Sequence, residues 1–99
     1  MSAERLLELR ERLMSRREER EKYIELLRLA LTTRVAVSDC LRRILQEVDE
    51  DAKIQIRSEV QAIENQFERE KQKFLDMLQA VGIESPEFTY GDMCNTMLP

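Results

Sequence analysis

Ninety-nine residues that include only two Gly and two Pro lack the frequent turn residues of a sheet protein, which excludes all-β and α/β folds. Apolar residues at 42% make the chain too apolar and too periodic to be disordered, while five aromatics and no Trp are sparse material for a large globular core. A net charge of −4 and the absence of His argue against a chain-wide nucleic-acid footprint and remove the usual general base and the commonest metal ligand.

The expected fold is all-α: a long antiparallel, coiled-coil-like helical hairpin with a short non-helical tail, assembling into an oligomeric bundle. The first helix is expected over residues 1–48, opening with Ser2 as N-cap and Glu4 in the first turn. Leu6, Leu13, Arg20, Leu27, Arg34, Leu41 and Val48 form one heptad series. Leu9, Arg16, Tyr23, Ala30, Val37 and Ile44 form the other. Only the three Arg interrupt thirteen seam positions, so one helix of about 46 residues and ~70 Å is indicated. Thr32, Thr33, Val35 and Val37 are β-branched and Ser38-Asp39 offers a cap, which marks residues 32–38 as the weak point of that helix.

Within it, Tyr23 to Leu31 is apolar nearly all round. Tyr23, Ile24, Leu26, Leu27 and Leu31 outnumber what a single facing helix can cover, and a helix apolar on most of its faces is normally buried. This segment is the strongest sign of oligomerisation, and the isolated chain is expected not to be monomeric. Arg16, Arg20 and Arg34 either snorkel from the seam or specify its register.

An acidic turn at residues 49–53 precedes a second helix at residues 54–82. Its seam is Ile56, Val60, Ile63, Phe67, Glu70, Phe74, Met77 and Val81, and Gly82 with Pro86 stops it. With the turn near Asp51, residue i faces about residue 102 − i. Arg34 and Glu70 are thereby expected to pair across the seam. The first arm overhangs the second by about 20 residues, ~30 Å at 1.5 Å each, which leaves Leu6, Leu9 and Leu13 as an unpaired apolar stripe for a partner. Residues 83–99 are expected to be a flexible or docked tail. Phe88, Tyr90, Met93, Met97 and Leu98 can cover a surface, and Ser85-Pro86 is a minimal proline-directed phosphorylation site.

Chemistry finds little support. Asp49 and Asp51 open an EF-hand-like pattern, but Lys53, Ile54 and Val60 occupy positions that require a ligand, a Gly and a bidentate Glu. Without His no nucleophile–base pair or Glu-x-x-His di-metal site can be assembled, and two Gly make no phosphate loop. Residues 10–22 are Arg-rich, yet acids balance them at helical spacing, unlike a phosphate-binding basic region. Cys40 and Cys94 are isolated thiols suited to a reducing compartment. The stretch MSAERLLELRERL has no apolar signal region, and no run approaches a membrane span.

No catalytic, cofactor-binding or metal residue is expected. The expected role is a non-enzymatic coiled-coil subunit of a larger intracellular helical assembly, cytoplasmic or nuclear. Cytoskeletal, kinetochore and vesicle-tethering complexes are its architectural analogues. The rival is a self-contained homodimeric four-helix regulator binding nucleic acid or an adaptor peptide. Partners are expected to be further copies or other helical proteins, with neither a small-molecule substrate nor a membrane. The expected interface residues are Leu6, Leu9, Leu13, Tyr23, Ile24, Leu26, Leu27, Leu31, Arg34 and Glu70.

Overall fold

The computed structural model describes residues 2–97. It is 84% helical and extended, with no strand among the described residues. Four α-helices run α1 (Ser2–Arg12), α2 (Arg17–Gln46), α3 (Glu50–Ala80) and α4 (Tyr90–Asn95), and a 3-10 turn (Leu13–Ser15) links the first two.

The single first helix expected over 1–48 is corrected: the chain breaks at Arg16, which is extended at φ −115 and ψ 92. No Gly or Pro causes this. Arg16 donates its backbone N–H to Leu13 O at 3.0 Å, and the Arg20 guanidinium donates to Met14 O at 2.7 Å, satisfying carbonyls that the broken ladder leaves open. Glu18 and Glu19 lie in the first turn of α2, where negative charge is favoured. The Glu19 carboxyl is held below its ordinary range chiefly by a backbone N–H, against the opposing effect of burial, with Arg16 also favouring the charged form. The Thr32–Ser38 segment, read as the weak point, stays helical.

The acidic turn expected at 49–53 is instead a short connection at 47–49. Glu47 accepts from the backbone N–H of Val48 and Asp49, and Asp49 caps α3 by accepting from Asp51 N–H at 3.1 Å. Carboxylates that would oppose a helix C-terminus therefore start a new one. α3 ends in a Schellman motif. Ile83 N–H reaches Leu78 O at 2.9 Å and Gly82 N–H reaches Gln79 O at 3.1 Å. Gly82 takes φ +75, a conformation in which a side chain is strained.

α2 and α3 pack side by side with opposite chain direction. Tyr23 meets Phe74 edge-on at 6.1 Å between ring centroids, and Arg43 pairs with Glu59 at 2.8 Å. The buried positions of α2 are Glu19, Tyr23, Leu26, Leu27, Ala30, Thr33, Val37 and Cys40, a helical stripe built mainly of three- and four-residue steps. Of the two expected heptad series, Tyr23, Ala30 and Val37 of one are buried, as are Leu6, Leu13 and Leu27 of the other. In the other, Thr33 and Cys40 take the seam places assigned to Arg34 and Leu41, both of which are exposed.

The tail is not the non-helical segment expected. Thr89 and Asp92 form a reciprocal capping box that starts α4. Met93 and Cys94 sink it into the core. The strap between α3 and α4 is tied down from α3. Lys71 donates to Phe88 O at 2.7 Å, its ammonium lies 5.1 Å from the Phe88 ring centroid, and Tyr90 donates to Glu64 at 2.7 Å. The continuous core joins Leu6, Leu9 and Leu13 to Tyr23, Leu26, Leu27, Ala30, Phe67, Phe74, Leu78, Phe88, Met93 and Cys94. It fills one end of the molecule.

Candidate interaction surface

The leucine stripe is the principal correction. Leu6, Leu9 and Leu13 are at most 2% exposed, because the break at Arg16 turns α1 back and α4 packs against both α1 and α2. The apolar tail residues Phe88, Met93 and Cys94 supply the cover. The overhang therefore offers no free seam. Leu98 lies outside the described residues, and Met97 is exposed.

The apolar segment of α2 divides between two faces. Tyr23, Leu26 and Leu27 are buried inside the chain's own core, while Ile24 and Leu31 remain partly exposed on the opposite side. The expected Arg34–Glu70 pair is not formed. Both residues are exposed, and Glu70 binds Lys73 on its own helix at 3.0 Å. The observed pairing across the seam explains this: with Tyr23 beside Phe74 and Cys40 beside Glu59, Glu70 comes level with residues 27–29, between one and two turns before Arg34. Lys71 takes the inward place instead and reaches the strap.

Besides Leu7, Met14 and Val81 at the thick end, the exposed apolar side chains include a string along α2 and the bend. Ile24, Leu31, Val35, Leu41 and Leu45 follow α2, Val48 sits at the bend, and Ile54 lies in the first turns of α3. Leu45 and Val48 are 86% and 91% exposed, well beyond the scattered apolar exposure of an ordinary surface. Around Leu31 the surface is a shallow depression formed by Leu31, Thr32, Val35, Ala36 and Asp39. Its lining has helical spacing i, i+3, i+4 and i+7, the four corners of a hole that accepts one side chain from a facing helix.

Sequence periodicity missed Val35, Leu45, Val48 and Ile54 as a surface because it placed Leu41 and Val48 in the seam. The available signal was Arg34. An Arg at a seam position indicated that the frame was one residue late, and shifting it to Thr33 and Cys40 exposes Leu41.

Elsewhere charged side chains fasten α2 to α3. The Glu59 carboxylate accepts from Arg43 and lies 3.8 Å from Cys40 Sγ. It pushes the Arg43 guanidinium above its ordinary range, chiefly through that hydrogen bond. A groove of about 240 Å³ runs between α2 and α3, floored by Leu26, Leu29, Phe74 and Met77 with Lys22, Glu25, Glu70 and Lys73 at its rim. Ser85 sits half-buried on the strap in a depression shared with Arg5 and Arg12 of α1. Among the described residues, no three His, Cys, Asp or Glu side chains are grouped to hold a metal, and no helix is long and apolar enough to cross a membrane.

No protein-family model, curated protein or solved structure matches this chain.

Proposed function

We propose that the chain is a non-enzymatic interaction subunit: a helical hairpin that presents apolar side chains from α2 and the bend to other helical proteins in a larger assembly. One observation supports this most. The chain covers its own leucine stripe completely, yet leaves Leu41, Leu45, Val48 and Ile54 in solvent. Each large aliphatic side chain gains roughly 1.5–3 kcal/mol on full burial, so a docking helix has a substantial apolar reward at this end of the molecule. Charges flank these residues, as at the polar rim of a protein interface.

Leu45→Glu combined with Ile54→Glu tests this surface. Both side chains are exposed, so the purified variant should keep the wild-type circular dichroism and melt within a few degrees of it. Expressed in its native cell, it should no longer co-purify with the helical partners of the wild-type chain. A variant that retains those partners in full places the docking surface elsewhere and defeats the assignment.

A further inference from the structure

The outer face of α2 has a second property: it is complementary to itself. At about 100° per residue, Arg28, Val35 and Asp39 lie within about 40° of one another, on the side opposite the buried Ala30, Thr33 and Val37. Between the two charges lie Leu31, Thr32 and Val35, around the hole described above. Laid antiparallel on a second α2 about a twofold axis between residues 33 and 34, residue i stands level with about residue 67 − i of the other copy. Thr32 then meets Val35, and Leu31 meets Ala36. Arg28 meets Asp39 twice, once on each side of the axis, and Glu25 comes level with Arg42. Arg28 makes no ion pair among the described residues, and Asp39 has only a long, exposed contact of 3.6 Å with Arg42. A closed twofold contact requires this kind of self-complementary patch.

We propose that the occupant of this face is a second copy of the chain, docked antiparallel through α2 with reciprocal Arg28–Asp39 pairs flanking a Leu31–Thr32–Val35 centre. The proposal deepens the interaction-subunit reading by naming one partner and its register. The bend residues Leu41, Leu45, Val48 and Ile54 stay at the two ends of the pair, free for other proteins. Aliphatic contact supplies the attraction and the charges select antiparallel over parallel docking, since a parallel pair at the same register sets Arg28 beside Arg28 and Asp39 beside Asp39.

The experiment uses full chains carrying Arg28→Asp or Asp39→Arg, examined by sedimentation equilibrium at micromolar concentration. Wild type should have twice the 11.8 kDa chain mass. Each single reversal creates two like-charge contacts and should weaken the dimer at least tenfold. An equimolar mixture of the two variants should restore it, because each copy then supplies the charge the other lacks; the double variant Arg28→Asp/Asp39→Arg should dimerise like wild type. Both side chains are exposed, and circular dichroism confirms that each variant is folded. A monomeric wild type, a dimer indifferent to both reversals, or a mixture no heavier than its components overturns the proposal. Val35→Glu adds a separate reading. If it abolishes a dimer that ignores both charge reversals, the face is right and the register is overturned. The Leu45→Glu/Ile54→Glu variant keeps the two claims apart: it should remain a dimer. A monomeric wild-type chain that still loses its cellular partners through those changes overturns the dimer alone, whereas a dimer without such partners overturns the larger assembly alone.

Discussion

Tyr23 places its ring at the centre of the core, 2% exposed, and its hydroxyl finds no hydrogen-bond partner among the described residues. The nearby Thr96 hydroxyl donates to Met93 O at 2.6 Å. Burial pushes the phenol up, and the interactions with Thr96 and Arg10 only partly oppose it. A buried polar group without a partner costs about 1–3 kcal/mol, so Tyr23→Phe should leave stability unchanged or raise it by on the order of 1 kcal/mol; a clear loss in urea denaturation would show that the hydroxyl is satisfied. Tyr90 predicts the opposite. Burial, reinforced by its bond to Glu64, raises its phenol from 10.0 to about 12. The folded state thus favours the neutral phenol, a contribution complete below pH 10 and lost as pH rises through about 12. Tyr90→Phe should cost on the order of 1 kcal/mol at neutral pH. Its denaturation midpoint should also fall less steeply than that of wild type across the alkaline window. Parallel pH profiles would rule out this role for Tyr90.

The elements show why the sequence was only partly legible. Helical content, the α3 stop at Gly82 and the core roles of Phe67 and Phe74 follow from composition, cap chemistry and period. The break at Arg16 carries no Gly or Pro, but Ser15-x-x-Glu18 has capping-box spacing one position ahead of the observed start, and paired Glu residues follow it. The heptad phase runs unbroken through that signal, because a side-chain period cannot report a single extended residue. The tail was harder to read, because a six-residue helix has too few positions to show a period; only the Thr89-x-x-Asp92 spacing announces it. The consequence is that α4 is structural. Met93 is fully buried between α1 and α2 partners, so Met93→Ala should cost about 2–5 kcal/mol. Removing residues 84–99 should expose Leu6, Leu9 and Leu13 and make the chain bind a hydrophobic dye. A truncated chain that melts like wild type and binds no dye would show that α1 needs no cover. Leu6→Glu with Leu13→Glu should likewise unfold this end of the molecule, not merely block a partner.

The whole molecule measures 51 × 29 × 20 Å with a radius of gyration of 15.7 Å, against about 13 Å for a compact domain of this length. The excess comes from an uneven distribution of packing. At one end α1 and α4 thicken the α2–α3 pair into a core of large side chains. Toward the bend only Val37, Cys40 and Ile56 are buried hydrophobics, and the salt bridge spanning the pair there, Arg43–Glu59, is more than half exposed on both sides, where such bridges contribute little. Local opening should follow that gradient. In native-state hydrogen exchange, amides of Leu41–Gln46 and Ile54–Arg57 should exchange through fluctuations well below the global unfolding free energy, while those of Leu26–Ala30 and Phe74–Leu78 should report the global value. A partner docked on Leu45 and Ile54 would slow exchange at the bend and leave the core amides unchanged. Uniform protection along α2 and α3 in the free chain would mean that the slender end is as cooperative as the thick one, and that its exposed aliphatics need no partner to hold it together.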